Sequence, residues 1–276
     1  ILMCLVLIFG NEINGSKRWM FIFGLSIQPS EFLKPFFAVV SAWFLTKGLE
    51  GKNIGFKIVF TIFLLSSCLL ILQPDFGMTI LFMVVFFAQL FVSGLSIIFV
   101  LILVVVLLIV GVLSYYNIEN VKNRIDIFID PLSGDTYQIE QSIKAFKSGG
   151  IKGKGLGQGT LKETIPDAHT DFIFSIAGEE LGFIFCSVLI LIFLTIVIRG
   201  LLASLKKREL YSLILVVGLV SIFGLQAVIN IASSLGLIPT KGLTLPLISY
   251  GGSSMISSSI LIGILLSHTK KTNNKT

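Results

Sequence analysis

The residues best equipped for chemistry lie between Gly153 and Gly182, in GKGLGQGTLKETIPDAHTDFIFSIAGEELG. Glycines alternate there with Lys154 and Lys162, and Glu163, Asp167, His169 and Asp171 follow just ahead of the apolar run Phe172-Ile173-Phe174. A carboxylate where water gives way to hydrocarbon can serve as a general base, because partial desolvation raises its proton affinity towards a useful range. Asp171 has that placement. It could instead cap the following helix, as could Thr170, and His169 could be the base. Asp167, His169 and Asp171 at alternate positions could also hold a metal, but no fourth ligand is evident. Between Gln141 and Lys162 stand five lysines and no acid, Lys152 and Lys154 among them. Such a run is either a solvated face or a seat for phosphate oxygens or an anionic headgroup. Its glycines match neither GxGxxG nor the P-loop, which disfavours a nucleotide.

The elements that must position these groups are built for hydrocarbon. Of 276 residues 54% are hydrophobic and only 13% charged, with a mean hydropathy of +0.96. That composition predicts an all-α polytopic membrane protein. The net charge of +6 sits mostly in short loops, which argues against a nucleic-acid partner and for topology signals. Cys4, Cys68 and Cys186 lie in apolar runs without metal-ligand spacing. Full spans are predicted near 30–46, 56–72, 78–95, 97–114, 172–198, 210–233 and 253–267, after a partial one at Ile1 to Phe9 that lacks the basic start of a signal peptide. Residues 115–171 form the one long hydrophilic segment, with an amphipathic helix from Tyr137 to Ser148 inside it.

Other polar groups interrupt the apolar pattern. Trp19 beside Lys17 and Arg18, in a turn-rich loop, suits a headgroup-level anchor or a phosphate contact. Pro29 opens a helix on which Glu31 and Lys34, three apart, can pair or act. Asp75 sits in the Gln73–Gly77 break and can cap the next helix or take part in catalysis. Gln226 and Asn230, four apart, read as glue between helices. Pro239, Pro246, Gly251 and Gly252 break the helix at membrane depth, so the segment around Lys241, Ser249 and Tyr250 must be buried in protein or line a cavity. We take Asp171 and Glu163 as candidate catalytic residues. Lys152, Lys154, Lys162, His169, Trp19, Arg18, Lys34, Glu31, Asp75, Lys241, Ser249 and Tyr250 are candidate substrate-binding residues. Span parity puts the basic clusters at 47–57, 199–208 and the tail on one side, cytoplasmic by their charge. The long loop, the Trp19 loop, the Asp75 break and the 239–254 segment then share the outer side, where the Trp19 loop and the 239–254 segment are expected to wall one cavity.

Several of these stretches together resemble the SEDS family (shape, elongation, division and sporulation). They are NGSKRW (Asn14 to Trp19), QPSEFLK (Gln28 to Lys34), QPDFG (Gln73 to Gly77), GLGQGTLK with PDAHTDFIF and GEELG (Gly155 to Gly182), and TKGLTLPLISYGGSS (Thr240 to Ser254). The last block is closer to the division branch than to the elongation branch. The resemblance implies a SEDS-type helical bundle forming a single membrane domain over 1–276, with about seven full transmembrane helices plus a partial first one and a large extracytoplasmic loop at 115–171. Members carry more spans, so the chain reads as lacking two helices and part of a third. The implied activity is a peptidoglycan glycosyltransferase that polymerises lipid II, an undecaprenyl-pyrophosphate disaccharide pentapeptide, with inversion. By motif the critical acid falls on Asp171 and a second on Glu163. A class B penicillin-binding protein and other divisome proteins are the implied partners. A divalent cation (Mg or Mn) is implied as a cofactor, without a dedicated cage, and the bacterial inner membrane as the location. The competing readings are a lipid II flippase, which an inverted repeat would support and none is seen, and a non-catalytic divisome scaffold.

Overall fold

The structure is a computed structural model that describes residues 2–13, 16–22, 24–52, 54–94, 96–117, 119–130, 136–206, 209–239 and 242–270. In chain order the elements are α1 (Leu2–Phe9), β1 (Asn11–Ile13), β2 (Ser16–Ile22), β3 (Leu25–Ile27), α2 (Pro29–Leu49), α3 (Ile54–Leu72) and α4 (Phe76–Val92). There follow α5 (Ile97–Asn117), α6 (Glu119–Ile129), α7 (Tyr137–Gly149), α8 (Ile173–Leu205), α9 (Leu210–Ser234) and α10 (Gly252–Thr269). Among the described residues α2, α3, α8, α9 and α10 are long and apolar enough to cross a membrane, and α4, at 17 residues, is a shorter apolar helix. This is a multi-pass membrane protein. The chain divides into two compact units, one of Ile1–Leu95, Leu194–Leu225 and Gly251–Thr276 and one of Ser96–Phe193 with Gln226–Tyr250.

In the first unit the stretch read as a turn-rich loop folds into strands. β1 pairs with β2 and β2 with β3, both antiparallel, with Trp19 opposite Asn11 and Met20 opposite Ile27. Gly24, at φ 81, supplies the left-handed residue between β2 and β3. Pro29 occupies the first turn of α2 as its missing N–H allows, but Pro35 lies inside the helix. A proline there leaves the carbonyl four residues back without its helical donor, and that carbonyl belongs to Glu31. The Ser257 hydroxyl of α10 donates to it at 2.7 Å, so a neighbouring helix completes the backbone bonding that hydrocarbon demands. The rings of Phe37, Phe63, Phe82 and Phe86 pack together, with centroids 4.1 Å apart for Phe37–Phe82 and 4.4 Å for Phe63–Phe86. One level away Gln89 is fully buried. It accepts the Ser41 hydroxyl at 2.6 Å and donates to the carbonyls of Ala38 and Ile214.

The second unit is organised on α7 and the start of α8. Ala145, Ile165, Ala168, Phe172 and Ile176 form its core, and glycines let backbones meet: a Cβ on Gly149 would lie 2.0 Å from the Gly178 carbonyl oxygen. The uninterrupted span expected at 172–198 is in fact broken at Gly182 (φ 80, ψ −178). A break strands carbonyls before it and N–H groups after it. Here the loop after α7 takes them up. Lys154 and Gly155 donate their N–H groups to the Glu179 and Glu180 carbonyls at 3.0 and 2.9 Å, while Phe183 and Ile184 donate to the Gly150 and Ile151 carbonyls at 2.9 and 3.3 Å.

Candidate active site

The HTD segment is held at three successive backbone points. Asp167 turns the chain at φ 55, and its carbonyl accepts the N–H groups of Thr170 at 3.1 Å and Asp171 at 3.0 Å. Helix α8 begins directly afterwards, the Phe172 carbonyl accepting Ser175 and Ile176 N–H. Phe172 therefore stands at the N-cap position, and Asp171 one residue outside it. The next three carbonyls meet three donors of different kinds. His169 accepts the Tyr250 backbone N–H at 2.9 Å, Thr170 accepts the Ser249 hydroxyl at 2.5 Å, and Asp171 accepts Asn230 Nδ2 at 2.9 Å. Gly242, at φ 61, comes so near that a Cβ on it would lie 3.4 Å from Asp171 Oδ2. The Asp171 side chain is half-buried, whereas Asp167, His169 and Glu163 are exposed. A carboxylate on so constrained a backbone, partly open to solvent, has the chemistry of a proton acceptor.

The helix-breaking segment is tied to the same place. Ser249 Oγ also accepts the Leu245 N–H at 2.8 Å, so this buried hydroxyl is committed to backbone, while Tyr250 is largely exposed. Gln226 Nε2 donates to the Thr244 carbonyl and hydroxyl at 2.9 and 3.1 Å, and Asn230 Nδ2 reaches the Leu243 carbonyl at 2.6 Å as well. Read from the sequence as glue between helices, Gln226 and Asn230 in the structure donate to the non-helical backbone at Thr244 and Leu243, and Asn230 to that of Asp171 as well.

The loop lysines are not unopposed. Lys154 Nζ lies 2.7 Å from Glu179 Oε1 and Lys162 Nζ 3.1 Å from Glu180 Oε1. Glu179 also accepts the Thr160 and Leu161 N–H groups at 3.2 and 3.1 Å, and Glu180 the Gly157 N–H at 2.9 Å. The acids lie beyond Asp171 in sequence, which is why the run 141–162 looks uncompensated until α8 folds back on it. Lys152 is exposed. Glu163 ends a short 3-10 turn, Leu161–Glu163.

In the first unit the candidates form two ion pairs. Glu31 and Lys34, both buried, are 2.6 Å apart. Arg18 lies 3.6 Å from Asp75 and donates to the Gln73 and Pro74 carbonyls. Asp75 caps α4 by accepting the Met78 N–H at 3.3 Å, the capping role read from sequence. Burial pushes its carboxyl above the usual carboxylate range, against the pull of the Arg18 guanidinium. Trp19 is partly exposed on β2. Lys241, like Asn14, Gly15 and Thr240, lies outside the described residues. Among the described residues no three His, Cys, Asp or Glu side chains gather as a metal group. Asp167, His169 and Asp171 thus do not form a cation cage.

The sequence matches the FtsW/RodA/SpoVE family, described as cell cycle proteins, over residues 1–274. The chain belongs to this family. It is 38% identical over 263 residues to a protein of Caulobacter vibrioides named probable peptidoglycan glycosyltransferase FtsW, covering 95% of this chain and 67% of the relative. A protein of Pseudoalteromonas translucida with the same name is 40% identical over 276 residues, 96% of this chain and 69% of its own length. The fold is similar to a chain from a structure of a peptidoglycan synthase complex, with TM-score 0.74, 30% identity and coverage of 97% and 77%. It is also similar to the rod shape determining protein RodA of Thermus thermophilus, with TM-score 0.64, 29% identity and coverage of 97% and 74%. The SEDS resemblance is therefore the correct one.

Within this FtsW/RodA/SpoVE chain, Asp171, His169, Ser249 and Tyr250 come together at one turn, joined by Asn230 and Gly242. Asn230 reads from the sequence as glue between helices, and Gly242 as part of the helix-breaking segment. Gly242 carries a readable signal, since a glycine in the block TKGLTLPLISYGG at a position needing positive φ implies close approach. Asn230 had none, because a lone amide on an apolar helix is equally consistent with helix packing.

Proposed function

We propose that this chain is a peptidoglycan glycosyltransferase that polymerises lipid II, with Asp171 as the general base. The observation that carries the reading is the threefold backbone clamp on residues 169–171, which fixes one half-buried carboxylate, together with the names of the relatives and the synthase complex among the similar structures. The hydroxyl of the acceptor glycan attacks the anomeric carbon of the donor sugar. The new C–O bond forms from the face opposite the leaving group, so configuration inverts, and the bond to the lipid pyrophosphate breaks with its electron pair going to the phosphate oxygen. Asp171 takes the hydroxyl proton. A positioned base typically contributes about 100- to 10,000-fold, which a weak hydroxyl nucleophile requires. Exposed Lys152 is suited to contact the pyrophosphate, whereas Lys154 and Lys162 shape the loop through their carboxylate partners. The reading includes a class B penicillin-binding protein and further division proteins as partners, and a place in the bacterial inner membrane with the C-terminus cytoplasmic.

The test is full-length protein with its transpeptidase partner and purified lipid II, followed by sizing of the glycan. Asp171→Asn should leave expression and lipid II binding near normal and reduce polymerisation by about 100-fold or more. Long glycan made at a comparable rate would put the base elsewhere, with Glu163 next.

A further inference from the structure

Asn230 is 2% exposed, and its amide nitrogen bridges the Asp171 carbonyl at 2.9 Å and the Leu243 carbonyl at 2.6 Å. Both neighbours are acceptors, so the amide orientation is set by chemistry: the NH2 must face them. Among the described residues its Oδ1 is buried without a hydrogen-bond donor. An unpaired buried carbonyl is destabilising, so an asparagine selected only to pack helices is a poor choice at this position. What the residue achieves is a single linkage. It joins the backbone of the proposed base to the backbone of the residue after Gly242, the glycine on which a Cβ would lie 3.4 Å from Asp171 Oδ2.

We propose that Asn230 is a positioning residue for the transfer reaction, setting where the Asp171 carboxylate stands relative to the Gly242–Leu243 backbone. This rests on Asp171 being the base. Asn230 touches no reacting atom. Its effect passes through the carbonyl of residue 171, the third of the clamped carbonyls. Leucine at 230 keeps the volume and removes both donors. Aspartate keeps the shape but sets carboxylate oxygens against two carbonyls. Glutamine keeps the amide on an arm longer by one methylene.

The experiment measures polymerisation kinetics of full-length Asn230→Leu, Asn230→Asp and Asn230→Gln, alone and combined with Asp171→Asn, with thermal unfolding in detergent as the control for folding. A misplacement of about 1 Å can cost on the order of 100-fold in rate, so Asn230→Leu and Asn230→Asp should lose about 10- to 100-fold in kcat with KM for lipid II changed less than about threefold. The acid limb of the pH–rate profile should move, and Asn230→Gln should recover part of kcat. Combined with Asp171→Asn, Asn230→Leu should cause no further loss, because its route of action has already been removed. A kcat for Asn230→Leu equal to wild type, or a loss that adds in full to that of Asp171→Asn, overturns the positioning role. If Asn230→Leu fails to fold, an Asn230→Asp enzyme with unchanged kcat and pH profile overturns it equally. A fully active Asp171→Asn enzyme has a different meaning: it removes the base reading, and the positioning role with it.

Discussion

At the scale of single residues, Gly242 shows how tightly the site is drawn. Its φ of 61 is a conformation that costs other residues roughly 1–2 kcal/mol, and the added methyl of Gly242→Ala would touch Asp171 Oδ2 at 3.4 Å. Polymerisation by that variant should therefore fall more than its thermal stability does, as measured by glycan synthesis alongside detergent unfolding. The lysines divide in a different way. Lys152 is exposed and Lys154 is engaged by a buried carboxylate, so Lys152→Gln should raise KM for lipid II about three- to tenfold with kcat intact, as loss of one charge-assisted contact would. Lys154→Gln should act on the loop instead, visible as faster proteolysis between residues 150 and 163. Equal KM effects of the two changes would contradict this division.

At the scale of elements, the decisive feature is the broken helix α8. Its break exposes backbone groups that the loop after α7 satisfies, and two carboxylates at the end of its first arm then gather that loop's N–H groups and lysines. Gly182→Ala would bring a Cβ within 2.3 Å of the Gly153 nitrogen and 2.6 Å of the Ile151 carbonyl oxygen, at a φ of 80. It should destabilise the protein by several kcal/mol, beyond the roughly 1–2 kcal/mol of the backbone conformation alone. The control is Gly263→Ala in α10, where nothing lies within 4 Å of the added Cβ; loss of a helical glycine there should be neutral or stabilising by about 0.5–1 kcal/mol. Glu179→Gln removes the charge that holds Lys154 and two backbone N–H groups. A cost of about 2–3 kcal/mol follows from the strength of hydrogen bonds to charged groups. Thermal unfolding of the three variants in detergent should rank them Gly182→Ala, Glu179→Gln, Gly263→Ala.

At the scale of the molecule, polar groups inside the first unit hold helices together where apolar contact alone cannot select one arrangement. Lipid is as apolar as leucine, so packing shape and hydrogen bonds must do the selecting. Gln89 links α2, α4 and α9 with three bonds, and at about 0.6 kcal/mol for each interhelical bond in a membrane protein Gln89→Leu should cost about 2 kcal/mol. The Glu31–Lys34 pair is a different case, because removing Glu31 takes from buried Lys34 the carboxylate 2.6 Å away. Glu31→Gln should cost about 3 kcal/mol or more, exceeding Gln89→Leu although it removes a single ion pair. Denaturation in mixed micelles would order the two, and the reverse order would mean that the remaining surroundings of Lys34 compensate its charge without Glu31.

What the sequence determined by itself was set by short-range physics. Hydropathy over windows of span length located α2, α3, α4, α5, α9 and α10 to within a few residues, because in hydrocarbon every backbone group must be bonded locally and a helix is the local solution. The amphipathic helix at 137–148 was legible for the same reason, its apolar face repeating every three to four residues. Asp75 as a cap and Glu31 with Lys34 as a pair were readable because the partners are three residues apart. What only the tertiary structure decided involves partners far apart in sequence. Ser257 repairs the bond that Pro35 breaks, 222 residues along the chain by their numbers (257 − 35). Glu179 and Glu180 neutralise lysines that look free, and β1, β2 and β3 pair where the sequence reads as a turn-rich loop. Asn230 and Ser249 reach backbone carbonyls at Asp171 and Thr170. A hydrogen bond to a main-chain oxygen leaves no trace in the type of the residue that accepts it, so the clamp on the proposed base could be seen only once the chain had folded.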